Sequence, residues 1–121
     1  MKTMKNLGIL IVLFALTSFT FNTSNDSKGV KTIKVLTSAV CGECKERIEK
    51  ELNYTKGVVF AELDLETKEV TVKYKTKHLS EKQVKEVIAG IGYDAGETKR
   101  NEEAFNKLPK CCQSAGHCSR D

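Results

Sequence analysis

Polar and apolar residues alternate from Lys31 to Leu36, with Ile33 and Val35 pointing one way, the pattern of a strand with one buried face. Thr37-Ser38-Ala39 ends it as a loop of small residues. From Cys41 the period lengthens. Cys41, Cys44, Ile48 and Leu52 recur at helical spacing, while Lys45, Glu46, Arg47, Glu49 and Lys50 fill the opposite side. Asn53 to Gly57 closes this amphipathic helix. Val59, Ala61, Leu63 and Leu65 then alternate with Phe60, Glu62 and Asp64 and predict a second strand. Glu66-Thr67-Lys68 turns the chain, and Val70, Val72 and Tyr74 predict a third strand hairpinned to the second. Ser80 followed by Gln83 is a capping-box pattern, and Val84, Val87, Ile88 and Ile91 behind it predict a second helix. Gly90 and Gly92 stop that helix, and Tyr93 to Glu97 has the length of a short closing strand.

The order β-α-β-β-α-β predicts an α+β domain over residues 31–98. Its architecture is a ferredoxin-like βαββαβ sandwich with two helices on one face of a four-stranded antiparallel sheet, which buries both helical stripes against the apolar strand face. Ahead of it, Lys2 and Lys5 precede the uncharged run Leu7 to Leu16, the charged and apolar regions of a secretory signal over residues 1–20. That run falls short of the about 20 apolar residues of a comfortable membrane span. An exported, periplasmic protein is expected, with membrane anchoring by an uncleaved N-terminal segment as the alternative. Residues 21–30 read as a polar linker, and 99–121 as a Cys/His-rich tail in which Glu102 to Leu108 has room for two helical turns.

At 121 residues the chain accommodates one small domain with appendages, which excludes a multi-domain enzyme. The formal charge of +4 falls by two when residues 1–20, with two lysines and no acid, are set aside. Acids and bases are interspersed, so the footprint of a nucleic-acid partner is missing.

The chemistry sits in the cysteines. Cys41-Gly42-Glu43-Cys44 falls where the first loop becomes the first helix. Helix-start N–H groups carry partial positive charge that favours thiolate over thiol, and a three-residue separation across one turn lets both sulfurs face one soft cation. Gly42 is read as keeping the approach open, and Glu43 as either a hard oxygen ligand or a solvated helix-start acid. A helix-start C-x-x-C is also the redox motif of thiol–disulfide oxidoreductases, so a periplasmic enzyme of that class using Cys41 and Cys44 is the alternative. Against it, the only proline, Pro109, lies beyond the predicted core, and no Trp precedes Cys41.

Cys41 and Cys44, Gly57-Val58, Val70-Thr71-Val72 and Ile91-Gly92-Tyr93-Asp94-Ala95 together resemble the heavy-metal-associated domain family, over Thr32 to Glu97. This family includes copper chaperones and the periplasmic mercuric-ion-binding protein. The resemblance implies a non-enzymatic protein whose two cysteines bind Cu(I), Hg(II) or Zn(II) and pass the ion on by ligand exchange. It implies a membrane metal transporter or efflux component as partner and no small-molecule substrate. It also places Tyr93 beside the metal loop. The chain departs from the family in having Ser38-Ala39-Val40 before the first cysteine where members usually have Gly-Met-Thr or Gly-Met-x. The tail adds Cys111, Cys112, His117 and Cys118, four soft or borderline ligands within eight residues, which form either a second metal site or disulfides.

Overall fold

The computed structural model describes residues 29–114. The expected signal segment, the linker through residue 28, and His117 and Cys118 lie outside the described residues. Among those described, no helix is long and apolar enough to cross a membrane.

Three strands, β1 (Val30–Leu36), β2 (Val58–Asp64) and β3 (Glu69–Lys75), form an antiparallel sheet in the order β1-β3-β2. Its register aligns the apolar positions into two rows. Val70 of the central strand pairs with Val35 and Leu63, and Val72 pairs with Ile33 and Ala61. One sheet face is thereby apolar, and α1 (Gly42–Tyr54) and α2 (Glu81–Gly90) cover it. Cys44, Ile48 and Leu52 from α1, and Val84 and Ile88 from α2, are fully buried against those rows. Each of the Ile, Leu and Val side chains contributes about 1.5–3 kcal/mol on burial. The capping box at α2 is complete: Ser80 Oγ accepts from the Gln83 N–H, and Gln83 Oε1 accepts from the Ser80 N–H.

Three expectations about the sheet are corrected. Val59 is about half exposed, although alternation placed it inward with Ala61 and Leu63. A register shift between Val58 and Phe60 adds a residue to β2, so only the positions beyond it keep the inward phase. Leu65, also expected inward, lies past the end of the strand and is exposed. The fourth strand is reduced to an isolated pairing of Thr37 with Ala95. Ala95 and Thr98 close a tight turn on each other by N–H···O bonds of 3.0 and 2.9 Å, with Gly96 at φ +57 inside it. The chain turns before a ladder can extend.

Some of the polar side of α1 is structural. β2 is an edge strand, and Asn53 stands in for a neighbour. Its Oδ1 accepts from the Ala61 N–H at 3.1 Å, and its Nδ2 donates to the Ala61 carbonyl at 3.2 Å. Glu49 accepts from the Leu63 N–H at 3.1 Å, and Lys45, paired with Glu49, donates to the Leu63 carbonyl at 2.7 Å. These contacts lock the helix that begins at Cys41 to the sheet beneath it.

The tail folds back on the domain. α3 (Glu102–Asn106) and α4 (Lys110–Gln113) follow the Ala95–Thr98 turn. α3 sits directly on Gly92, where a Cβ would lie 2.8 Å from the Phe105 nitrogen and 2.9 Å from its Cα. The Arg100 guanidinium stacks 3.4 Å from the centre of the Phe105 ring. Gln113 Nε2 then donates to the carbonyls of Phe105, Asn106 and Leu108, tying α4 to α3.

Candidate metal centre

The loop ahead of α1 is built from small residues that are all held. The Thr37 N–H and hydroxyl both donate to the Lys68 carbonyl at 2.9 Å, and Thr37 Oγ1 accepts from the Ala39 N–H. Ser38 Oγ accepts from the Asp94 N–H at 2.9 Å, which joins the loop to the segment after α2. Ala39 is fully buried. Its methyl occupies the interior behind the loop with backbone clamps on either side, so this loop is anchored without a methionine. Gly42 is exposed, and a Cβ there would meet nothing within 4 Å, so packing does not demand a glycine at this position.

Cys41 is the N-cap residue of α1 and Cys44 lies in its first turn. Their sulfurs stand 3.3 Å apart, with Cys41 partly exposed and Cys44 fully buried. The helical first turn thus brings together the two thiols that the spacing singled out. Burial pushes the Cys44 thiol up, but the Val40 backbone N–H, the Tyr93 hydroxyl and the thiols of Cys112 and Cys41 outweigh it and hold Cys44 below the ordinary thiol range. Glu43 Oε1 accepts from Arg47 at 3.1 Å, one turn along the helix.

Separation in sequence concealed the next feature. Cys112, on α4, lies 3.9 Å from Cys41, sulfur to sulfur, across 71 residues of chain, and is buried. Cys41, Cys44 and Cys112 are outside any disulfide, whereas Cys111 is disulfide-bonded. The Cys111 sulfur lies within 4.8 Å of those of Cys41 and Cys112 and 3.6 Å from Glu43 Oε2. As a disulfide sulfur it has neither a proton to donate nor a thiolate to offer. Of the four tail residues read as a separate site, the two that are described therefore sit against the first cysteine pair. Pro109, expected beyond the core, caps α4, and its carbonyl accepts from the Cys112 N–H at 2.8 Å. His78 is exposed.

Tyr93 is 1% exposed, and its hydroxyl has no hydrogen-bond partner among the described residues. Burial first, and then the neighbouring Cys44 and Cys112 thiols, push its titration far above the ordinary phenol range, so it stays protonated. The hydroxyl is close enough to both sulfurs to feel them, yet meets neither in hydrogen-bonding geometry. Cys112 is itself pushed up to about 12, by burial first and then by Cys44.

A model described as the heavy-metal-associated domain matches residues 37–94. A copper chaperone CopZ of Staphylococcus aureus (strain bovine RF122 / ET3-1) is 41% identical over 54 residues, which are 45% of this chain and 79% of that protein. A copper-exporting P-type ATPase of Staphylococcus epidermidis (strain ATCC 35984 / DSM 28319 / BCRC 17069 / CCUG 31568 / BM 3577 / RP62A) is 38% identical over 75 residues, 62% of this chain but 9% of the ATPase. Among solved structures, the N-terminal domain of a potential copper-translocating P-type ATPase from Bacillus subtilis, in the Cu(I)-loaded state, superposes with a TM-score of 0.52. It is 31% identical, and the match covers 55% of this chain and 85% of that one.

Proposed function

The chain belongs to the heavy-metal-associated domain family, and on that footing we propose that it is a carrier of a soft metal ion, held by Cys41 and Cys44 and passed on by thiolate exchange. The observation that carries this reading is the pair of cysteine sulfurs 3.3 Å apart at the start of α1, neither in a disulfide and one of them held below its ordinary range. Cu(I) is the leading cargo, because the similar proteins are copper chaperones and copper-transporting ATPase domains; Hg(II) and Zn(II) remain within reach of two thiolates. A transfer step balances simply. A donor's metal–sulfur bond breaks as one to Cys41 or Cys44 forms, and the incoming thiol gives its proton to solvent or to the leaving thiolate. No electrons change hands. The same chemistry run outward delivers the ion to a membrane metal transporter, the partner proposed here. Residues 1–20 support the further proposal that the carrier works outside the cytoplasm.

Anaerobic titration of the reduced full-length protein with Cu(I) against a chromophoric chelator tests the reading. Wild type should withhold one equivalent, and the Cys41→Ser/Cys44→Ser variant should lose it while keeping its circular dichroism. Undiminished affinity in that variant removes the pair from the function. N-terminal sequencing of protein recovered from a periplasmic extract tests export; retention of Met1 in the membrane fraction would favour the anchored form.

A further inference from the structure

We infer that Cys112 completes a three-thiolate centre with Cys41 and Cys44, so that this chain takes its ion in three-coordinate form with the third ligand supplied by its own tail. This rests on the carrier reading of Cys41 and Cys44 and adds a ligand that the matched domain, residues 37–94, does not contain.

The distances put Cys112 within reach of a shared ion. With metal–thiolate bonds of about 2.3 Å, two sulfurs around a linear ion stand about 4.6 Å apart, and each pair around a trigonal ion about 4.0 Å apart. Cys41 and Cys112 are 3.9 Å apart, already at the trigonal edge. Cys41 and Cys44, at 3.3 Å, must open by about 0.7 Å for the trigonal arrangement and about 1.3 Å for the linear one.

The tail is prearranged for this role. Gly92 admits α3, Gln113 ties α4 to α3, and the Pro109 carbonyl holds the Cys112 backbone. The second, independent observation is the Tyr93 hydroxyl, a buried donor without a partner among the described residues, beside Cys44 and Cys112. Thiols are poor acceptors. Thiolate sulfurs under a metal are better ones, and a charge-assisted bond from Tyr93 to one of them would satisfy the orphan. Three thiolates around a monovalent ion leave a net negative centre. It faces the positive end of α1, and Arg47 is near enough for its charge to interact with that of Cys112. Each thiol gives its proton to solvent as its metal–sulfur bond forms, with no redox change. Cys112 then occupies a position that an acceptor's thiolate must take, so release waits on displacement of the tail.

X-ray absorption of the Cu(I)-loaded full-length protein counts the sulfurs directly. Three are expected in wild type and in Cys111→Ser, two in Cys112→Ser and in Cys112→Ala. Chelator competition should show the Cys112 variants weakened at least as much as the roughly 10- to 100-fold typical of losing an outer-shell partner. Alkylation of wild type followed by peptide mass spectrometry needs no variant: Cu(I) should protect Cys112 together with Cys41 and Cys44. Two sulfurs in wild type, or Cys112 alkylated equally fast with and without Cu(I), overturns the third ligand and leaves the two-cysteine carrier standing. Three sulfurs that drop to two in Cys111→Ser but persist in Cys112→Ser would assign the ligand to the wrong cysteine and overturn it as well. Undiminished binding by Cys41→Ser/Cys44→Ser would instead overturn the carrier reading, and this inference with it.

Discussion

Tyr93→Phe should make the metal-free protein more stable. The phenol ring is 1% exposed and its hydroxyl has no partner among the described residues, so folding strips the group of water without replacing the lost hydrogen bonds. Leaving such a group unsatisfied costs about 1–3 kcal/mol. Deleting one oxygen leaves a void of roughly 10–20 Å³, which at about 24 cal/mol per Å³ returns only about 0.2–0.5 kcal/mol of that gain. The net stabilisation is about 1–2 kcal/mol, and in a domain of this size each kcal/mol raises Tm by roughly 4–8 °C. Urea and thermal unfolding of both proteins, reduced and held with a chelator, measure it. The sign should reverse on loading. A hydroxyl that donates to a thiolate contributes about 1.5–3 kcal/mol that Phe lacks, so Cu(I) affinity should fall by about tenfold or more. A metal-free Tyr93→Phe protein that is less stable than wild type would refute the reasoning, because the hydroxyl would then already be satisfied by the fold.

Three other substitutions probe how the scaffold holds the site. Gly92→Ala faces both a φ of +102 and a Cβ 2.8 Å from the Phe105 nitrogen, and should lose about 1–3 kcal/mol while α3 lifts off. Unchanged hydrogen exchange at Phe105 and Leu108 would contradict it. Asn53→Ala strips the Ala61 N–H and carbonyl of their partners and should cost about 1–3 kcal/mol in urea unfolding; a loss within error would mean that water replaces the amide freely. Ser80→Ala removes the capping box of α2 and should cost about 1 kcal/mol, with the metal stoichiometry unchanged. A drop in stoichiometry would show that the two ends of the domain are coupled.

Several features were legible in the residues alone because they are local. The stripe Cys44, Ile48 and Leu52 marks α1, Ser80 with Gln83 marks the start of α2, and Val70, Val72 and Tyr74 mark the central strand, since helix and strand periods are written into neighbouring positions. The proximity of Cys41 and Cys44 follows in the same way, because one helical turn brings residues three apart onto one face. Contacts between distant segments were not legible. The shift at Val59 arises from how β2 pairs with β3, and the phase of an isolated alternating segment carries no trace of it. Glu49 and Lys45 read as the polar side of the helix, and Asn53 as the start of its closing segment, until β2 lies beside them as an edge strand. Gly92 reads as a helix stop; its second task, admitting α3, exists only when the tail folds back. Cys112 reaches Cys41 across 71 residues by way of that docking, a closure set by the packing of α3 on Gly92 and by the hydrogen bonds of Gln113 and of the Cys112 N–H. Sequence periodicity thus determined three strands, the two long helices and the first two thiols, and tertiary packing decided which further thiol lies beside them.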